Sequence, residues 1–133
     1  MSREAADALM GIFGLKRAGV AVVIPVRTEN PLNGSHRHWR VRSAARKRQR
    51  HAAYALCPQA ALPCTVRLVR LSAGTLDDDN LRAALKAVRD GVADRLGVAD
   101  NDPRVRWEYG QERCKRGTYG VRLELINDET GGG

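Results

Sequence analysis

The segment from Asp77 to Gly97 constrains the fold most. Leu81, Leu85, Val88, Val92 and Leu96 recur at helical spacing, with Asp77 to Asp79 at the start and Gly97 past the last apolar residue. That is the pattern of an amphipathic helix with an acidic N-terminus and a glycine stop. Such a helix buries one face, so the flanking chain must supply a surface for it. Ahead of it, Thr65 to Leu71 (TVRLVRL), closed by Gly74, reads as a strand. Behind it, Val105, Trp107 and Tyr109 alternate with Arg104, Arg106 and Glu108, the period-2 pattern of another strand.

The remaining elements follow from the same signals. Val20 to Val26 is rich in β-branched residues and reads as a strand, which Pro25 places at a sheet edge. Ser43 to Leu56 has neither Gly nor Pro and is rich in Ala and Arg, a basic helix stopped by Pro58. Pro31 and Asn33-Gly34 mark a turn before it, and a helix interrupted by Gly11 and Gly14 is expected over Ala5 to Leu15. Tyr119, Val121, Leu123 and Leu125 alternate with Gly120, Arg122 and Glu124, a last half-buried strand joined to the preceding one by the basic loop GQERCKRG, read as a hairpin. The apolar pattern stops after Ile126, so a mobile tail is expected over residues 127–133. The order α-β-α-β-α-β-β over 133 residues predicts one α/β or α+β domain, a small mixed sheet of about four strands flanked by helices.

Charge narrows the partner. The 23 basic and 15 acidic side chains leave a net charge of +8, a surplus that points to a polyanion, with nucleic acid foremost. The surplus is concentrated: Asn30 to Leu76 holds nine Arg or Lys and no acid, and seven of those bases fall between Arg37 and Arg50. Arg37, Arg40, Arg42, Arg46, Lys47, Arg48 and Arg50, with Arg82, are the candidate phosphate contacts; the alternative is a solvated helix face. The absence of a zinc-finger, recognition-helix or RNP signature predicts binding by shape and charge. Ala18 to Val26 is too short to cross a bilayer. Glu4 and Asp7 do not suit a secretory leader, so a cytoplasmic location is expected. Cys57, Cys64 and Cys114 are odd in number and lack a C-x-x-C pair, which predicts free thiols.

The chemistry is sought in the acids. In an extended segment Asp77 and Asp79 point to the same side, and a hard divalent cation is the usual answer to carboxylates crowded at one strand end. The plain alternative is a helix cap whose neighbours complement the helix dipole. Asp102, held extended by Pro103, precedes the strand that starts at Arg104; if that strand runs antiparallel beside Thr65 to Leu71, Asp102 completes a site with Asp77 and Asp79. Its alternative is a polar turn. Asp79, Lys86 and Asp90 lie on one helical stripe, and a side chain leaning toward the helix N-terminus brings the Lys86 ammonium toward the carboxylates; otherwise Lys86 and Asp90 form an exposed i, i+4 pair.

Asp77-x-Asp79-Asn80-Leu81 opening a lysine-containing helix, followed by Gly97, Asn101-Asp102 and Val105, resembles the RusA-like Holliday-junction resolvases. The resemblance runs from about Val66 to Tyr109, more weakly over Pro31 to Arg40, and does not cover residues 1–19. It implies a RusA-like fold, magnesium, with manganese as a substitute, held by Asp77, Asp79 and Asp102, a homodimer, branched DNA such as a four-way junction as substrate, a part in DNA recombination and repair, and a phage or prophage setting. Asn101 stands where the family often has another acid. The family's lysine position is Ala83 here, so Lys86 or Arg82 takes that role. The expected activity is a magnesium-dependent, structure-selective endodeoxyribonuclease; the alternatives are a non-catalytic, basic nucleic-acid-binding protein and another magnesium-dependent phosphoryl-transfer enzyme, the latter disfavoured because no glycine-rich phosphate loop is present.

Overall fold

A computed structural model describes residues 19–28 and 39–127. The helix expected over Ala5 to Leu15, the turn at Pro31 and Asn33-Gly34, and residues 128–133 of the expected tail lie outside the described residues; Asn127, expected in that tail, is instead the last residue of the final strand, paired across from Cys64. The elements are β1 (Gly19–Ile24), α1 (Trp39–Leu56), β2 (Cys64–Ser72), α2 (Asp78–Leu96), β3 (Val105–Arg113) and β4 (Gly120–Asn127). One mixed sheet of four strands in the order β1-β4-β2-β3, with two helices, gives the α+β architecture that the sequence predicts. β1 lies at an edge, as Pro25 requires. Among the described residues no helix is long and apolar enough to cross a membrane.

Two features depart from expectation. β3 runs parallel to β2, from Cys64 opposite Val105 to Ser72 opposite Arg113. The length of α2 explains this: 19 residues at about 1.5 Å each cover roughly the span of a nine-residue strand, so the helix returns the chain to the start of β2. The antiparallel neighbour is therefore β4, which inserts between β1 and β2 and pairs antiparallel with both. Consequently β3 and β4 form no hairpin: GQER belongs to β3, and the connection from Cys114 to Tyr119 passes the end of β2.

The core lies between the sheet and the helices. Val66 and Leu68 of β2, Val121, Leu123 and Leu125 of β4, and Ile24 of β1 meet Leu81, Leu85, Val88 and Val92 of α2 and Ala53 of α1, all buried. The 4-3-4 spacing of the α2 residues keeps them on one face. Cys57 and Cys64 join this core as free thiols, and burial pushes the Cys57 thiol up to about 11. Cys114 is free and half-buried.

α1 starts at Trp39, four residues before the Ser43 that the composition suggests, and crosses α2 at close range. A Cβ on Gly91 would collide with the Arg50 carbonyl and come within 2.7 Å of the Ala53 Cβ. Arg50 forks onto Asp94 at 2.6 and 2.9 Å beside this crossing. Ordinarily Gly to Ala within a helix gains up to about 1 kcal/mol. Here a backbone carbonyl blocks the added methyl, so Gly91→Ala is expected to lower stability by about 1–3 kcal/mol, read as a lower denaturant midpoint with an unchanged slope.

Candidate active site

The acidic run sits where β2 hands over to α2. Asp77 is the N-cap, with extended backbone at φ −69° and ψ 170°. Its Oδ1 accepts from the Asn80 backbone N–H at 2.9 Å and its Oδ2 from the Asn80 side-chain amide at 3.1 Å. Capping explains the D-x-D-N spacing locally, because an aspartate there satisfies an N–H that the helix leaves unpaired. Asp78 and Asp79 form the first turn of the helix, complementing its positive end. They make no hydrogen bond or ion pair among the described residues and are exposed. Helical backbone at Asp78 replaces the extended geometry that would aim Asp77 and Asp79 to one side.

Two strands pin the loop that carries these acids. Gln111 of β3 accepts from the Leu76 N–H at 2.9 Å and donates to the Leu76 carbonyl at 2.6 Å. Its register neighbour Arg70 on β2 donates to Thr28 Oγ1 at 3.0 Å and to the Gly74 carbonyl at 3.3 Å. Arg70 is 7% exposed, and burial lowers its pKa from the usual arginine value. Its hydrogen-bond acceptors are neutral, which leaves a buried positive charge at the acidic end of the sheet. Sequence reading missed both residues. The signal for Gln111 was hidden in a segment read as a loop, and Arg70 in a strand whose two faces the alternation did not separate.

The basic helix begins at this same end. Gln49 of α1 donates to the Arg27 carbonyl at 3.0 Å, and the adjacent Thr28 holds Arg70 near the end of β2. The residues before Gln49 therefore lie toward the end of the sheet where α2 starts. Arg46, Lys47 and Arg48 are exposed there, and Arg40 stacks over Trp39 at 5.5 Å. Arg42 has a buried Nε without a hydrogen-bond partner. Arg50 instead braces the helix crossing through Asp94, whose carboxyl its guanidinium holds below the usual range. Arg37 lies outside the described residues.

Two expected placements change. Asp102 is at the opposite end of the sheet from Asp77, because the parallel β3 starts beside Cys64 and not beside Ser72. The level of Gln111, which holds Leu76, is six residues of β3 from Val105, about 20 Å. Asp102 caps its own turn there, accepting from the Arg104 backbone at 2.9 Å and pairing with its guanidinium at 2.8 Å. Lys86 pairs forward with Asp90 at 3.6 Å, the exposed i, i+4 alternative, and not back toward Asp79. Among the described residues no group of three His, Cys, Asp or Glu converges as a metal cage.

Between α2 and β3 an open groove of about 750 Å³ is lined by Arg67, Asp78, Arg82, Arg89, Trp107 and Tyr109, among others. Arg82 lies over Tyr109 at 5.6 Å and Arg89 over Trp107 at 4.5 Å. Arg89 also pairs with Asp100 at 2.9 Å, tying the turn after α2 to the helix. No known family model matches the chain, and no curated protein matches it.

The Arg104 guanidinium and backbone N–H hold Asp102 at about 2, below its ordinary value of 3.8. A depressed carboxyl stabilises the fold above the unfolded pKa, and that contribution fades as pH falls from about 4 toward 2. A carboxyl-carbon NMR titration is expected to place the Asp102 midpoint near 2, and Arg104→Ala should return it toward the ordinary carboxylate range.

Proposed function

We propose that the protein is a divalent-metal-dependent endonuclease that cleaves branched DNA by phosphodiester hydrolysis, in line with the resemblance of Asp77-x-Asp79-Asn80 to the RusA-like resolvases. The observation that carries this reading is the placement of Asp77 to Asp79 at the end of the sheet where the basic half of α1 begins. A DNA backbone lying on Arg46, Lys47 and Arg48 would pass near the carboxylates. Acids that only capped a helix would oppose such a backbone.

The donor chemistry suits magnesium, which takes hard oxygen ligands and is commonly held by one or two carboxylates together with water and substrate phosphate. Asp77 and Asp79 are the residues that would hold it; bound there, the ion would supply an activated water and neutralise charge on the scissile phosphate. The chain's own work is positioning. Asn80 fixes both oxygens of Asp77, Gln111 and Arg70 fix the loop before it, and exposed Asp79 is free to turn toward a ligand. A homodimer acting on a four-way junction is the fuller form of this proposal. A non-catalytic DNA-binding protein is the second reading, favoured by the position of Asp102 at the other end of the sheet, where Arg104 holds it.

Cleavage of a labelled four-way junction with and without Mg²⁺ decides between them. Asp77→Asn and Asp79→Asn are expected to abolish Mg²⁺-dependent cleavage while junction binding persists or tightens. Asparagine is as good an N-cap as aspartate, so the loss at position 77 would not reflect a broken helix start. Cleavage by either variant at the wild-type rate would overturn the assignment. Separately, Arg46→Glu with Arg48→Glu should weaken binding to any DNA and flatten the log–log salt dependence by about one unit for each phosphate the helix no longer neutralises; an unchanged slope would place the DNA elsewhere.

A further inference from the structure

The groove between α2 and β3 lies beside the acidic run but supplies neither of the residues that would hold the metal. Its volume of about 750 Å³ is within the range of ligand sites. Arg82 and Arg89 are seven residues apart, two turns of α2, so both reach out from one face of the helix. Tyr109 and Trp107 are two residues apart on β3 and share a face of the strand. α2 runs against β3, so the pairs form in reverse order, Arg82 over Tyr109 at 5.6 Å and Arg89 over Trp107 at 4.5 Å. Two guanidinium-on-ring stacks thus stand side by side along the groove.

The two stacks are not equivalent. Arg89 is committed to the fold: it donates to the Tyr109 hydroxyl and to the Asp100 carbonyl, and it pairs with the Asp100 carboxylate at 2.9 Å. Those bonds brace the turn after α2 and account for the stack over Trp107. Arg82 is exposed and makes no hydrogen bond or ion pair among the described residues. Bracing does not explain it. An arginine lying on a ring with its donors unused can take an anion at its edge and a second planar group on its other side. Trp107 adds another unfilled group, an indole Nε1 that is buried without an acceptor. Such a donor is rare in a folded protein, and a ligand oxygen in the groove would satisfy it.

Charge selects among ligands. Arg67 leans toward Glu124 at 3.9 Å, Glu108 pairs with Arg106 at 3.8 Å, and Arg89 pairs with Asp100. Arg82 and Asp78 remain as opposite, unpaired charges on the walls. A groove so balanced does not hold a polyanion by charge alone; stacking must supply most of the affinity, with one phosphate at Arg82. A duplex does not meet these terms, because its bases are already stacked on one another. An unpaired strand does, since each base has a free π-face that an aromatic ring or a guanidinium plane accepts whatever the sequence.

We infer that this groove binds unpaired nucleotides of a single nucleic-acid strand, with a base stacked on the Arg82–Tyr109 pair, its phosphate on Arg82, and Trp107 at the neighbouring position. The net charge of +8 and the exposed bases of α1 argue for a strand and against a free nucleotide as the ligand. The site differs in kind from α1: the helix meets phosphates by charge, and the groove meets bases by stacking. It does not depend on cleavage.

Trp39 and Trp107 are the two tryptophans of the chain, so in Trp39→Phe protein the indole fluorescence reports Trp107 alone, and a strand lying only on α1 is silent. An oligothymidylate of about eight nucleotides is expected to quench this signal, and an abasic strand of equal length and charge to bind about tenfold more weakly or worse. Arg82→Ala and Tyr109→Leu should each weaken the quenching interaction about tenfold with an unchanged circular dichroism spectrum, and Tyr109→Phe, which keeps the ring, should retain it. Arg82→Ala should also reduce the log–log salt slope by about 0.7, the share of one phosphate on a single strand. Arg46→Glu with Arg48→Glu should leave the quenching in place. Equal quenching by the abasic strand, full quenching in folded Arg82→Ala, or loss of quenching in the α1 variant would each overturn the inference, as would thymidine monophosphate acting at the same nucleotide concentration as the strand. Cleavage is a separate readout: base-dependent quenching without cleavage overturns only the nuclease, and cleavage without such quenching overturns only this site.

Discussion

Parallel pairing of β2 and β3 over nine residues commits α2 to run back along the whole sheet, and most other features are consequences of that return. It separates the two acidic segments, leaving Asp77 to Asp79 where β2 ends and Asp100 to Asp102 where β3 begins. It directs β4 to the far side of β2, because the near side is already occupied. It also leaves β3 as an edge with regular backbone. A two-residue turn in place of α2 would have produced an antiparallel pair and brought both acidic segments to one end.

At the end of the sheet where α2 begins, the fold holds backbone more tightly than it holds the acids. Gln111 and Arg70 come from adjacent strands and grip Leu76 and Gly74, so the strand-to-helix connection is bonded on both sides of the bend. Asp77 is then fixed by Asn80, whereas Asp78 and Asp79 are left to solvent. Asp77 completes the cap, and Asp78 and Asp79 complement the positive end of the helix from its first turn. The close crossing at Gly91 extends this rigidity to α1, and the Gln49 bond to Arg27 anchors that helix to the same end.

Most of the elements were legible because each carried its own periodicity. The spacing of Leu81 to Leu96, with Asp77 before it and Gly97 after it, marked α2 nearly to its boundaries, and Gly97 does adopt the left-handed conformation at φ 71°. Strand direction was harder to read, since apolar alternation is the same in either direction. The length of α2 carried that information: a helix about as long as the strand before it returns the chain to that strand's start. The expectation for Asp77 and Asp79 assumed extended backbone through Asp78, whereas the cap already starts the helix there. Lys86 was placed on the correct stripe, but Asp90 one turn ahead is nearer than Asp79 two turns behind.

The last strand shows what alternation conceals. Gly120, Arg122 and Glu124 occupy the polar positions of β4 and suggested a solvated face, yet Glu124 is fully buried. Its position between two strands accounts for its tolerance there. Arg122, two residues away on the same strand, donates to Oε2 at 3.1 Å, and Arg67, directly across on β2, brings its Nε to 3.9 Å from Oε1. Arg122 also reaches Glu112 at 2.9 Å, so the carboxylate belongs to a row of alternating charge that crosses the sheet from β4 to β3. Removing one member of such a row leaves a buried charge uncompensated, commonly at a cost of about 3–5 kcal/mol, whereas an apolar replacement of the whole set is often tolerated. The row is therefore weak evidence for stability. Its stronger physical consequence is register, because a shift of β4 by one residue would send Glu124 into the aliphatic core between Leu68 and α2.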